Sequence, residues 1–172
     1  MVGGLARLCG LAIGEDLPNN HEDPDFNYDF LRRDGYDPMS HILETIERRN
    51  QVHEVWGWKY PRASRYLDQI RPQLRSPHLI LVLRDPVASA SRNVYNGASA
   101  LTAVKDHSDL QNRNLELITR WQVPTLLISY ERSVRRPVLV ANVVAEFLGC
   151  PAPPNRSQVR AFVKAGSYQD LP

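Results

Sequence analysis

The chain has 172 residues, 42% hydrophobic and 23% charged, with 21 Lys and Arg against 19 Asp and Glu for a net charge of +2. That length accommodates one domain, residues 1–172, able to bury roughly 70% of its unfolded surface, and the composition excludes collagen-like, coiled-coil and disordered classes. A balance this close to neutral, without a basic stripe, speaks against a nucleic-acid partner, and no apolar run approaches the ~18 residues of a membrane span. The opening MVGGLARLCGLAIG has a single Arg, early glycines and acidic residues soon after, so it does not read as a secretory signal. Cys9 and Cys150 are too few for a disulfide framework and lack metal-ligand spacing. The expected location is cytoplasmic. Of the 21 basic residues only Lys59, Lys105 and Lys164 are Lys. The Arg fork suits phosphate and sulfate, but GC-rich coding gives the same bias, so the count alone decides nothing.

In chain order, Met1 to about Ile13 is apolar all round and reads as a buried helix. The Pro/Asn/Asp-rich EDLPNNHEDPDFNYDF reads as a loop. SHILETIERRNQ follows as a helix with Ser40 at the N-cap and Ile42, Leu43 and Ile46 as its stripe. VHEVWGWKY, β-branched and aromatic, is a short strand, and Pro61 opens the next helix, PRASRYLDQIRPQL. HLILVL (78–83) is a continuous apolar run suited to a strand buried on both faces of a parallel sheet. Helices are expected from Val87 to about Asn96 and from about Leu101 to Trp121. VPTLLISYE gives another buried strand, PVLVANVVAEFLG a helix closed by Gly149, and SQVRAFVKAG a last short helix.

Strands alternating with helices at this spacing predict right-handed βαβ units and an α/β fold, a parallel sheet with helices on both faces. Ligands in such folds sit beyond the carboxyl ends of the strands. Three such ends stand out: Lys59-Tyr60-Pro61-Arg62, Arg84-Asp85-Pro86 and Ser129-Tyr130-Glu131. The first two put basic groups where the chain turns into a helix, where free N–H groups already favour anions.

These residues resemble a known family. LILVLRDPVASASRN is similar to the 3′-phosphate-binding segment of sulfotransferases that use 3′-phosphoadenosine 5′-phosphosulfate (PAPS). There a buried strand delivers an Arg, then Asp/Asn-Pro, then a helix bearing a Ser. WGWKYPRASRYL resembles the Trp-x-Trp-Lys-Asp-Pro-Arg stretch of bacterial and carbohydrate members, and VPTLLISYERSVRRPVLVANVVAEFLG a later strand-to-helix segment. The three lie in the family's order and span about residues 54 to 150. The resemblance implies a three-layer sheet of the P-loop nucleotide-binding type. It implies PAPS as co-substrate, no metal, and a small-molecule or carbohydrate acceptor; it leaves the oligomeric state open.

By the same resemblance Arg84 holds the 3′-phosphate. Ser91 is the obvious hydroxyl partner, yet the family places its Ser one position later, where this chain has Arg92. One residue turns a helical side chain by about 100°, so Ser91, Arg92 and the outlying Ser89 all stay open. Lys59 matches the family Lys near the sulfuryl group, with Arg62 following, and Tyr60 replaces a frequent Asp and removes an acidic group from that loop. His21, Glu22 and Asp23 are the candidates for the base that activates the acceptor, His21 having the pKa suited to neutral pH. His41, His53, His78 and His107 receive no role. Lys164 and Gly166 are a faint counterpart of a basic loop over the adenosine.

The family's Gly/Ser-rich phosphate loop has no counterpart, since Met1-Val2-Gly3-Gly4-Leu5 reads as the helix that should follow it. The expectation is therefore an N-terminally truncated chain with Met1 an internal Met, the rival being a complete protein that has lost the loop and its activity. Two further readings remain: a noncatalytic nucleotide-binding or interaction module, and a P-loop kinase relative. The Trp-Lys-x-Pro-Arg and Tyr-Glu segments argue against the kinase.

Overall fold

The computed structural model of the protein describes residues 1–15, 17–94, 99–153 and 155–163, with residues 91–94 described by backbone alone. The elements run α1 (Val2–Leu8), β1 (Ala12–Ile13), a 3-10 turn (Pro24–Phe26), α2 (Tyr28–Arg33), α3 (Pro38–Val52) and β2 (Trp56–Gly57). A 3-10 turn (Ala63–Arg65), α4 (Leu67–Ile70), a further turn (Arg71–Gln73), β3 (Leu79–Leu83), α5 (Pro86–Val94) and α6 (Ala100–Trp121) follow. The chain continues through β4 (Thr125–Ser129), α7 (Tyr130–Arg135), α8 (Pro137–Leu148) and α9 (Arg156–Phe162). Two compact units result: Met1–Arg75 together with Arg136–Pro172, and Ser76–Arg135.

The fold is mixed α/β with parallel strand pairing. Among the described residues the strands form two separate two-stranded ladders, one in each unit. In the first, Ala12 lies opposite Trp56 and Ile13 opposite Gly57. In the second, β3 and β4 pair in register from Leu79 opposite Thr125 to Leu83 opposite Ser129. Parallel neighbours need a long crossover, which α5 and α6 supply here.

In the first unit the opening helix stops at Leu8, well short of Ile13. Gly10 adopts φ +87, a conformation open to glycine, and the apolar run re-enters as β1. Gly4 allows α1 to meet α9, since a Cβ there would overlap Phe162 Cζ. The segment that reads as a loop holds structure capped by its own polar residues. Asp23 accepts from the Asp25 N–H to start the 3-10 turn, and Asn27 accepts from the Phe30 N–H to start α2. The cap of α3 is Asp37, with Pro38 following, and Ser40 instead donates its hydroxyl to Asp37 Oδ2 at 2.6 Å. The helix expected from Pro61 is broken into α4 and two 3-10 turns, and Pro72 brings no N–H to continue it. Leu5, Phe26, Ile42, Ile46, Tyr66, Ile70, Val144 and Val159 are fully buried, and each large apolar side chain removed from water contributes about 1.5–3 kcal/mol. Gly149, at φ +64, closes α8 as its position in the sequence predicts.

In the second unit, β3 forms where expected, but its five residues are half-buried rather than buried on both faces. A two-stranded ladder is too narrow a floor to cover both. Ser99 caps α6 by accepting from the Thr102 N–H at 3.2 Å, and Gln122 ends it with φ +50.

Candidate functional site

The register of the second unit's ladder sets its chemistry. With Leu83 opposite Ser129, the next residues along each strand, Arg84 and Tyr130, emerge at the same carboxyl end. The Arg84 guanidinium carbon lies 4.6 Å from the centroid of the Tyr130 ring, a cation–π arrangement that orients the planar fork. Arg84 Nη2 donates to the Ala88 carbonyl at 3.4 Å, while Nε is buried and has no hydrogen-bond partner.

The acidic groups at this end are committed. Asp85 Oδ1 accepts from the Val87 and Ala88 N–H groups at 2.8 and 3.4 Å and so caps α5. Glu131 accepts from the Asp85 N–H at 3.0 Å and from the Ser129 hydroxyl at 3.2 Å. Burial works against the Glu131 charge, but these donors hold its carboxyl below the usual range.

Two residues of α6 complete the cluster. Gln111 Oε1 accepts from the Arg84 N–H at 3.1 Å. His107, one turn earlier, hydrogen-bonds the Arg84 backbone, and burial together with the Arg84 charge pushes its pKa down. Its Nε2 is buried without a hydrogen-bond partner. The sequence reading gave His107 no role. The four-residue spacing from Gln111 puts both on one face of α6, but only the packing of α6 beside β3 places that face at Arg84.

The first unit holds a second group. Lys59, just beyond β2, donates from Nζ to Glu22 Oε1 at 2.7 Å and to the Asn20 carbonyl at 3.3 Å. Burial lowers its pKa, and the Glu22 carboxylate opposes that shift. His21 is only 3% exposed, has φ +55, and sets its ring edge-on to Phe162 at 5.5 Å. A Cβ on Gly3 of α1 would lie 3.3 Å from the Cβ atoms of both His21 and Lys59, so the two leave the backbone beside the same turn. The third acid–base candidate, Asp23, faces away into an ion pair with Arg49 at 2.6 Å. The acidic group that Tyr60 was expected to remove is supplied by α2. Asp29 accepts from the Tyr60 hydroxyl at 3.0 Å, from Arg62 at 3.4 Å and from Arg65 at 3.0 Å.

The structure thus brings His21, Glu22 and Lys59 together in one unit and gathers Arg84, Tyr130 and Glu131 in the other. Ser89 lies half-buried on α5. Ser91 and Arg92 fall on the backbone of the same helix with their side chains outside the described residues, and Lys164 and Gly166 lie outside them altogether. Among the described residues no group of three or more His, Cys, Asp or Glu is placed to hold a metal ion, and no helix is long and apolar enough to cross a membrane. Comparison of the chain with protein-family models, with curated proteins and with solved structures found no match.

Proposed function

We propose that the chain is a sulfotransferase-type domain of the three-layer, P-loop class. In this reading it binds PAPS through Arg84 and passes the sulfuryl group to a hydroxyl or amine of a small-molecule or carbohydrate acceptor. The observation that carries the reading is Arg84 itself: a guanidinium at the carboxyl end of a parallel strand, stacked on Tyr130, with its Nε unengaged. A phosphate monoester offers acceptor oxygens to such a fork, and the site lies where α/β folds bind ligands. The resemblance of LRDP, WKYPR and SYE to the family supports the same assignment.

In the transfer, an acceptor oxygen or nitrogen attacks sulfur as the bond from sulfur to the phosphate oxygen breaks, and 3′-phosphoadenosine 5′-phosphate leaves. The resemblance assigns Lys59 to the sulfuryl oxygens, and His21, whose Cβ lies by the same turn of α1 in the first unit, takes the acceptor's proton. Like phosphoryl transfer, this chemistry depends on positioning and on charge placed where it develops. One observation favours a second reading, a nucleotide-binding module without transfer: Lys59 is already engaged by Glu22 at 2.7 Å.

Thermal unfolding of the full chain with 3′-phosphoadenosine 5′-phosphate, against AMP at matched salt, tests the reading. Ligand at 100 times its dissociation constant adds about 2.7 kcal/mol of stability. Stabilisation by the bisphosphate, absent with AMP and lost in Arg84→Ala, is expected. A folded chain that responds to neither ligand overturns the proposal, and binding without sulfuryl transfer to any acceptor selects the second reading.

A further inference from the structure

The charged and polar groups at the end of β3 divide into those that have partners and those that do not. Asp85 is used in capping α5, and Glu131 is used by the Asp85 N–H and the Ser129 hydroxyl. Among the described residues of this unit, Arg84 Nε and His107 Nε2 are the buried side-chain nitrogens that have none. A buried polar atom left without a partner costs about 1–3 kcal/mol, so two such nitrogens, on side chains linked by the bond from the His107 ring to the Arg84 backbone, call for a common explanation.

We propose that His107 and Arg84 form one oxyanion site at the carboxyl end of β3, and that occupation of this site by a sulfate or phosphate monoester group is coupled to protonation of the imidazole. The proposal rests on the reading of Arg84 as an anion ligand and adds to it a second ligand and a proton.

The surroundings of His107 give the coupling its direction. On α6, the residues three and four positions away are Ala103, Val104, Leu110 and Gln111, none of them charged. The strand end contributes Arg84 and Asp85, and the start of α7 contributes Tyr130 and Glu131. The only titratable residue of α5, which packs along α6, is Arg92, another cation. Both carboxylates are held by backbone N–H groups, so burial and Arg84 disfavour the charged imidazole in the free protein. An anion between the two nitrogens reverses this, because it accepts from both and supplies the missing negative charge. Proton uptake then accompanies binding, and affinity rises as pH falls through the window between the free and the bound imidazole pKa.

Inorganic sulfate is the probe of choice, since its own charge is constant between about pH 5 and pH 8, where histidine titrates. The imidazole resonances of the full chain are followed by NMR as a function of pH, with sulfate and with chloride at matched ionic strength. The expected result is a rise of about one unit or more in the His107 pKa with sulfate, equivalent to about tenfold tighter binding by the protonated form. The rise is absent in Arg84→Met. A His107 titration that is the same in sulfate and chloride overturns the proposal, and the unmodified chain decides this without any variant having to fold. Repeating the titration with 3′-phosphoadenosine 5′-phosphate separates the two readings. Binding that requires Arg84 but leaves His107 unmoved removes the histidine and keeps the nucleotide. A response to sulfate with no nucleotide binding keeps the oxyanion site and removes the nucleotide.

Discussion

Arg49 Nη1 lies 2.6 Å from Asp23 Oδ2, and the two side chains are only 10% and 1% exposed. The other Arg49 amine reaches Asp25 Oδ2 at 3.2 Å, and the guanidinium lies over the rings of Phe26 and Trp56 at 5.1 and 5.5 Å. Asp23 also caps the 3-10 turn that follows it. The pair fastens the segment carrying His21 and Glu22 to α3, so the setting of Lys59 depends on an ion pair outside the candidate site.

Removing one member of that pair leaves a buried charge uncompensated, which costs about 3–5 kcal/mol. Arg49→Met is expected to lower the unfolding free energy by that much, read as a lower urea midpoint with an unchanged slope. In Arg49→Met/Asp23→Leu both charges are gone, and most of the loss should be recovered. A double variant no more stable than the single one would show that Asp23 acts through its cap and not through Arg49.

Asp25 gives the same network a pH dependence. Burial opposes its charge, but His41 at 3.0 Å, Arg49 and Arg48 together hold its carboxyl below the ordinary value of 3.8. The folded state therefore binds its proton later than the unfolded state does as pH falls. The stability it contributes is complete above the unfolded value and is lost as pH drops through the folded one. Between about pH 5 and pH 2, the unfolding free energy of the native chain should fall more steeply than that of Asp25→Asn.

Gly4 marks a close approach that composition does not reveal. Alanine favours a helix over glycine by about 1 kcal/mol, which alone would stabilise α1. Its Cβ, however, would overlap Phe162 Cζ, and that ring is only 7% exposed and has little room to withdraw. Overpacking of this kind costs about 1–3 kcal/mol, so Gly4→Ala is expected to destabilise the chain. Gly4→Ala/Phe162→Leu should regain part of the loss in a thermal melt, and a single variant more stable than the native chain would refute the contact.

Much of this architecture can be read from the residues. Periodicity and capping place α6 and α8 closely, and the rule that ligands gather at strand ends singles out the segments of Arg84 and Tyr130, which the observed register then brings together. What escapes the sequence has physical causes. An unbroken apolar run cannot distinguish the end of α1 from the start of β1, because burial favours the same residues in both. Asp23, Asn27 and Asp37 have the composition of a loop because the side chains that hydrogen-bond their own backbone in turns also cap helices. His107 is invisible for another reason. Its proximity to Arg84 comes from the packing of α6 beside β3, across more than twenty residues of chain.

Lys59 is a cation whose charge state depends on a close neighbour. Burial pushes its ammonium toward the neutral form, Glu22 Oε1 at 2.7 Å resists, and the outcome lies below the ordinary value of 10.5. Glu22→Gln leaves burial unopposed and is expected to move the Lys59 pKa further down. Glu22→Asp, one methylene shorter, should fall between. The chain has only three lysines, so reductive methylation with a carbon-13 label resolves each of them by NMR. Stability carries the same signature. Between the folded and unfolded Lys59 values the unfolded state binds more protons, so unfolding free energy rises with pH there, and in Glu22→Gln that rise begins at lower pH. A Lys59 titration indifferent to Glu22→Gln would mean that the Asn20 carbonyl at 3.3 Å holds the ammonium, and it would take Glu22 out of the candidate site.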